Sequence, residues 1–203
     1  MLVVLISGRG SNMRALVEAG LPVAAVISSR ADAAGLDYAR SRGIDTAVVE
    51  HRSFADRSQF EAALERELRR YSPRLVALAG FMRLLTPAFV ARYGERILNI
   101  HPSLLPAFPG LDTHARALAA GVKVHGCTVH VVTGELDTGP IVMQAALPVR
   151  AGETAEELAA RVLAQEHVIY PRAVRWFLED RLVIEQGVVR VKGNDAQLVL
   201  AGP

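Results

Sequence analysis

The feature that most constrains this chain is the regular exchange of short apolar runs with helical patterns across its first hundred residues. Strand candidates fall at residues 2–7, 22–28, 45–49, 75–79 and 97–100, and helical patterns lie between them at 12–19, 34–42 and 58–70. The last is the clearest. Phe60, Ala63, Leu64, Leu68 and Tyr71 recur at helical spacing, and Ser58 with Glu61 has the spacing of a capping box. Such alternation predicts an α/β fold, an open, mostly parallel twisted sheet with helices on both faces. Ligands of such sheets bind beyond the carboxyl ends of the strands, so the segments that leave those ends are where chemistry is sought.

The second half changes pattern. Residues 125–133 and 141–149 read as two longer strands joined by the loop 135–140, an antiparallel addition to the sheet. Thr154 and Glu157 form a second capping-box pair ahead of a helix whose apolar face carries Leu158, Val162, Ile169, Val174 and Phe177. Pro171 is expected to kink that helix or to begin a new one. Residues 182–184 and 188–191 around Gly187 read as a hairpin, and the tail 194–203 is weakly determined. At 203 residues, without repeats or a linker, the chain reads as one domain, 1–203.

Composition excludes several classes. No apolar run approaches the ~18 residues of a membrane span, and residues 2–6 are too short for a signal peptide. A single cysteine, Cys127, rules out an internal disulfide, fits a reducing, cytoplasmic setting and reads as a small core residue. The net charge of +2 is slight, and no dense basic cluster supports nucleic-acid binding. His125 and His130 lie five apart on a strand and, with Cys127, lack metal-ligand spacing, so no metal is expected. His51, His114 and His167 read as surface residues.

Three segments carry chemistry. Ser7-Gly8-Arg9-Gly10-Ser11-Asn12-Met13 joins the first strand to the first helix. Strand, glycine turn and helix N-terminus offer backbone N–H groups and a positive dipole end to a phosphate, or simply make a tight turn. Ser11 and Asn12 can cap the helix or donate to the ligand. The third glycine of a dinucleotide fingerprint is replaced by Met13, and no Gly-Lys-Ser/Thr is present. In Asn99-Ile100-His101-Pro102, an amide and an imidazole two residues apart point to the same side of a strand, and prolines at 102 and 106 direct the chain's exit. Asp137, in Glu135-Leu136-Asp137-Thr138-Gly139-Pro140, is either a solvated turn residue or the carboxylate that holds the His101 ring.

These segments, with Ala79-Gly80-Phe81-Met82-Arg83-Leu84-Leu85 and the continuation Ser103-Leu104-Leu105-Pro106, occur in the order and spacing of one family. From Met1 to about Gly187 the chain resembles the folate-dependent phosphoribosylglycinamide formyltransferases of purine synthesis. The resemblance implies a Rossmann-like formyltransferase fold and transfer of a formyl group from 10-formyltetrahydrofolate, the co-substrate, to the amine of glycinamide ribonucleotide. It implies Asn99, His101 and Asp137 as the catalytic residues, and Gly10, Ser11 and Asn12 as the loop for the ribose phosphate. Glu166 would contact the glycinamide substrate, with Leu163 standing where some relatives are polar. Met82, Arg83, Leu84 and Leu85 and the segment Thr133, Gly134, Glu135, Leu136 and Asp137 would wrap the pterin, with Arg57 near the folate tail. A cis bond at Leu105-Pro106 is expected as well. On this resemblance residues 1–100 would bind phosphate and 101–190 folate, in a monomer or homodimer that binds neither nucleic acid nor membrane.

A tRNA formyltransferase would carry an extra RNA-binding domain, and a formyltetrahydrofolate hydrolase a regulatory domain before the first strand. A non-catalytic nucleotide-binding module would need the glycine turn, but not Asn99, His101 and Asp137 together. Asp137→Ala is expected to abolish activity without unfolding, on the premise that a loop carboxylate packs against little.

Overall fold

A computed structural model of the chain describes residues 1–202. Strands pair in the order β10 (Leu198–Leu200), β7 (Ile141–Pro148), β6 (Val124–Val131), β5 (Ile97–His101), β4 (Leu75–Leu78), β1 (Leu2–Ile6), β2 (Val23–Ser28), β3 (Asp45–Val48), with β8 (Leu182–Glu185) and β9 (Val188–Val191) forming a separate hairpin. The chain divides into two compact units at Leu98/Asn99, within strand β5.

The first unit is built from β1 (Leu2–Ile6), α1 (Ser11–Glu18), β2 (Val23–Ser28), α2 (Gly35–Ser41), β3 (Asp45–Val48), a 3₁₀ turn (His51–Ser53), α3 (Arg57–Arg69), β4 (Leu75–Leu78), α4 (Pro87–Tyr93) and the start of β5 (Ile97–His101). Strand β1 pairs in parallel with both β2 and β4, and β2 in parallel with β3. All five residues of β1 are fully buried, so the unbroken apolar run reflects cover on both faces. Beyond the strand ends, Ser7 stitches three segments together. Its Oγ lies 2.7 Å from Ser29 Oγ and accepts the Met82 N–H at 2.9 Å, and its own N–H donates to Gly80 O.

The predicted strands and helices of this unit are present, each boundary within about a residue of expectation, but two predicted caps are not. The N-cap of α3 is Asp56, whose carboxylate accepts the Gln59 N–H at 2.9 Å. Glu61, assigned to a box with Ser58, is buried and accepts both the N–H and the hydroxyl of Thr86. Nor do Ser11 and Asn12 cap α1, whose N-cap is Gly10 in the left-handed region, with no side-chain cap. Helix α4 was not anticipated, although Thr86 as N-cap, Pro87 at the first turn and Gly94 after the end are its signals.

The second unit continues with α5 (Thr113–Ala119), β6 (Val124–Val131), β7 (Ile141–Pro148), α6 (Ala155–Leu178), β8 (Leu182–Glu185), β9 (Val188–Val191) and β10 (Leu198–Leu200). Strands β6 and β7 pair antiparallel around the 135–140 loop, as predicted, and β8 with β9 form the predicted hairpin. The Thr154–Glu157 capping box is present in both directions. Helix α6 does not restart at Pro171 but runs through it for 24 residues. The hydrogen bond that proline forfeits is outweighed by the burial of Ile169, Tyr170, Pro171, Ala173, Val174 and Trp176 around it. The tail holds β10, parallel to β7, where no element was expected, and Pro203 lies outside the described residues. Cys127 is fully buried in β6, and burial pushes its thiol far above the ordinary value, consistent with a core residue. Among the described residues no helix is long and apolar enough to cross a membrane.

Candidate active site

In the second unit β5 ends on Asn99, Ile100 and His101, and the two-residue spacing brings the amide and the imidazole to one cluster. His101 is 5% exposed. Its Nδ1 lies 3.5 Å from Asp137 Oδ2, and its Nε2 donates to the Phe108 carbonyl at 3.1 Å. Asp137 is not a solvated turn residue. Its side chain is 7% exposed, its backbone is left-handed (φ +54°), and its Oδ2 accepts the Gly110 N–H at 2.8 Å. The premise that this carboxylate packs against little is therefore wrong. Nearby Gly139 allows the loop to close on the strand, since a Cβ there would sit 1.7 Å from the Val131 carbonyl.

Asn99 reaches a residue that sequence reasoning had set aside. Its Nδ2 lies 3.1 Å from His130 Nε2, which is 3.8 Å from Asp137 Oδ1. The strand pattern carried a signal, a histidine among apolar residues at the end of β6, but nothing in it specified which face met Asn99. His114 is likewise no surface residue. It is half-buried, its Nδ1 lies 3.2 Å from Nε2 of the buried His125, and neither His51 nor His167 is fully exposed. Burial lowers the affinity of His125 for a proton, to a pKa of about 4, and moves His114 and His130 the same way.

The segment after His101 is tied down by buried hydroxyl and amide groups. Thr128 Oγ1 donates to Ser103 O and accepts from Leu105 N and from Gln144 Nε2, which also donates to Leu105 O. Ser103 Oγ donates to Ala107 O and Phe108 O, and the Leu105-Pro106 bond is cis, as expected. The Phe108 carbonyl that holds His101 is thus fixed in turn by Ser103. Glu166, on α6, is 7% exposed, and its charge bears on the Cys127 thiol. Thr133 is half-buried, while Gly134, Glu135 and Leu136 are exposed, Leu136 by 52%.

In the first unit the glycine turn is a backbone construction. Gly10 has φ +73°, and a Cβ there would meet Met13 Cε at 3.0 Å and Gly35 Cα at 3.1 Å. The Gly35 N–H donates to Gly8 O at 3.1 Å, so the turn rests against the start of α2. The tight-turn role is therefore real, and the first-turn N–H groups of α1 carry no side-chain cap. Ser11 is partly exposed and Asn12 buried. Met82, Arg83 and Leu84 are exposed, Met82 by 60% and Leu84 by 54%, and Leu85 is half-buried. Arg57 is the exposed first residue of α3. Among the described residues no group of three or more His, Cys, Asp and Glu side chains is arranged to hold a metal ion.

The chain's similarities agree with this arrangement. Residues 1–174 match the formyl transferase family model. The phosphoribosylglycinamide formyltransferase of Escherichia coli K12 is 47% identical over 199 residues, covering 95% of this chain and 94% of the relative. The human trifunctional purine biosynthetic protein adenosine-3 is 44% identical over 85% of this chain and 18% of its own length. Among solved structures, glycinamide ribonucleotide transformylase 1 of Symbiobacterium toebii superposes with a TM-score of 0.91 at 50% identity, covering 94% of this chain and 92% of that one. A formyltetrahydrofolate deformylase of Pseudomonas syringae superposes with a TM-score of 0.85 at 28% identity, covering 94% of this chain and 65% of that one. With the family model and near-full-length relatives in agreement, the chain belongs to the formyl transferase family, among its phosphoribosylglycinamide formyltransferases.

Proposed function

We propose that the chain transfers a formyl group from 10-formyltetrahydrofolate to the primary amine of glycinamide ribonucleotide, a step of de novo purine synthesis in the cytoplasm. The observation that carries this reading is the meeting of Asn99, His101 and Asp137 in one largely buried cluster. The formyl donor supplies an activated carbonyl carbon. The chain's task is to stabilise negative charge gathering on the formyl oxygen, to manage one proton and to hold the partners in line. Asn99 suits the first, because an amide N–H donates at any pH. His101 suits the second, with the Asp137 carboxylate 3.5 Å from its Nδ1 to hold the ring in place.

The hydrogen bonds add a condition to the role of His101. Its Nε2 hydrogen is directed at the Phe108 carbonyl and its Nδ1 faces Asp137. A ring N–H can therefore be offered to substrate only when one of those contacts opens, which substrate binding would have to drive. For the phosphate of the ribonucleotide we assign Gly10, Ser11 and Asn12, where backbone N–H groups at the start of α1 suit an anion. Glu166 is assigned to the substrate amine end. Arg57, Met82 to Leu85 and Thr133 to Asp137 are assigned to the folate.

The test follows folate deformylation by absorbance, with and without glycinamide ribonucleotide. Deformylation that requires the ribonucleotide is the expected result. Formate release without it would make the chain a hydrolase, and inactivity of folded protein in both reactions would overturn the catalytic reading.

A further inference from the structure

The hydrogen-bond directions around His130 can be deduced one atom at a time. His130 Nδ1 lies 3.0 Å from the Val131 carbonyl, and a carbonyl only accepts, so Nδ1 carries the ring hydrogen. The ring is 2% exposed, and burial disfavours its charged form; of the charged groups acting on it, Asp137 favours the proton and His101 opposes it. A neutral imidazole protonated on Nδ1 presents a lone pair at Nε2. Asn99 Nδ2, which only donates, stands 3.1 Å from it. The reversed amide would set Asn99 Oδ1 against that lone pair, so the Val131 carbonyl, acting through the ring, selects one of the two amide orientations.

We infer that His130 is a positioning residue for formyl transfer: its Nε2 lone pair takes one N–H of Asn99 and thereby aims the other at the oxygen of the reacting carbonyl. The inference rests on the catalytic role proposed for Asn99. His130 does not touch substrate in this scheme. It makes a freely rotating amide into a preorganised donor, which matters because a donor that must reorient during the reaction loses much of its advantage.

Two measurements test it. In wild-type protein at neutral pH, long-range ¹⁵N–¹H correlation spectra of the imidazoles should show His130 protonated on Nδ1, whereas protonation on Nε2 would overturn the inference without any variant. In kinetics, His130→Leu removes the acceptor, while His130→Gln can return an oxygen acceptor near the Nε2 position. Leucine should lower kcat by about 10- to 100-fold with KM changed less than about twofold, and glutamine should restore most of the loss. In an Asn99→Ala background, His130→Leu should cost less than about threefold more, because the interaction it served is already gone. Full additivity of the two losses would overturn the positioning role. An Asn99→Ala variant with near wild-type kcat would instead remove the catalytic role of Asn99, on which the inference depends.

Discussion

The glycine turn of the first unit and the Asn99–His101–Asp137 cluster of the second are made of different materials. At residues 8–12 the groups that can act are main-chain N–H donors, shaped by the +73° φ of Gly10 and its close approach to Gly35. No titratable side chain is needed, and the turn is held by main-chain packing against the start of α2. In the second unit the groups proposed to act are side chains from β5, β6 and the loop beyond β6, supported by main-chain groups: Phe108 O on His101 and Gly110 N–H on Asp137 from more distant positions, and the adjacent Val131 O on His130. A backbone site is cheap to build and suits an anion that only needs binding. A side-chain site needs a buried support, but it can hold a proton and present a directed donor.

This contrast is most open to attack through the side chains themselves. His101→Ala should lower kcat by about 10²- to 10⁴-fold in steady-state assays, while circular dichroism stays that of the folded protein. Asp137→Asn is a cleaner probe than Asp137→Ala, since asparagine keeps an acceptor for the Gly110 N–H and tolerates the left-handed backbone that alanine resists. It should lose about 10²-fold or more in kcat. Activity within about threefold of wild type would show that the cluster works without its charge.

Next in size is a pH effect confined to the side-chain region. His125 is folded as a neutral group with a pKa of about 4 against an ordinary 6.5, so the unfolded chain binds the proton first as pH falls. Its contribution to stability is therefore undiminished above pH 6.5 and is lost progressively as pH drops toward 4. Between pH 7 and pH 5 the loss attributable to it is about 2 kcal/mol. Urea titrations of wild type and His125→Phe at the two pH values should differ by that amount in their pH dependence, and parallel curves would show the ring is not held neutral.

The smallest effect belongs to the backbone site. Gly10→Ala introduces strain of about 1–2 kcal/mol at positive φ and presses on Met13 and Gly35. KM for the ribonucleotide should rise several-fold with kcat within about twofold, read from saturation curves in each substrate. A fall in kcat larger than the rise in KM would mean that the turn takes part in more than binding.

What could be read beforehand follows the same division. Strands β1 and β4 were legible because parallel strands buried on both faces are unbroken apolar runs. The Thr154–Glu157 box was legible because its two partners are three residues apart. Glu61 was misread by the same rule: its spacing from Ser58 is that of a box, yet its carboxylate is taken by Thr86, 25 residues away. The two-residue spacing of Asn99 and His101 showed that they share a face, but not that His130 and Asp137 would meet them there.

Sequence alone determined the α/β order of elements, the glycine turn and the pairing of β6 with β7, and it singled out the three polar residues proposed for catalysis. These depend on local period, turn chemistry and the resemblance of ordered motifs. Tertiary structure decided that the Asp137 side chain is buried, that His130 meets the Asn99 amide, that Pro171 lies within one helix, and that Phe108 and Gly110 orient the cluster. Each of those depends on which buried group finds which partner, and a buried polar atom takes its partner from the packed surroundings and not from its neighbours along the chain.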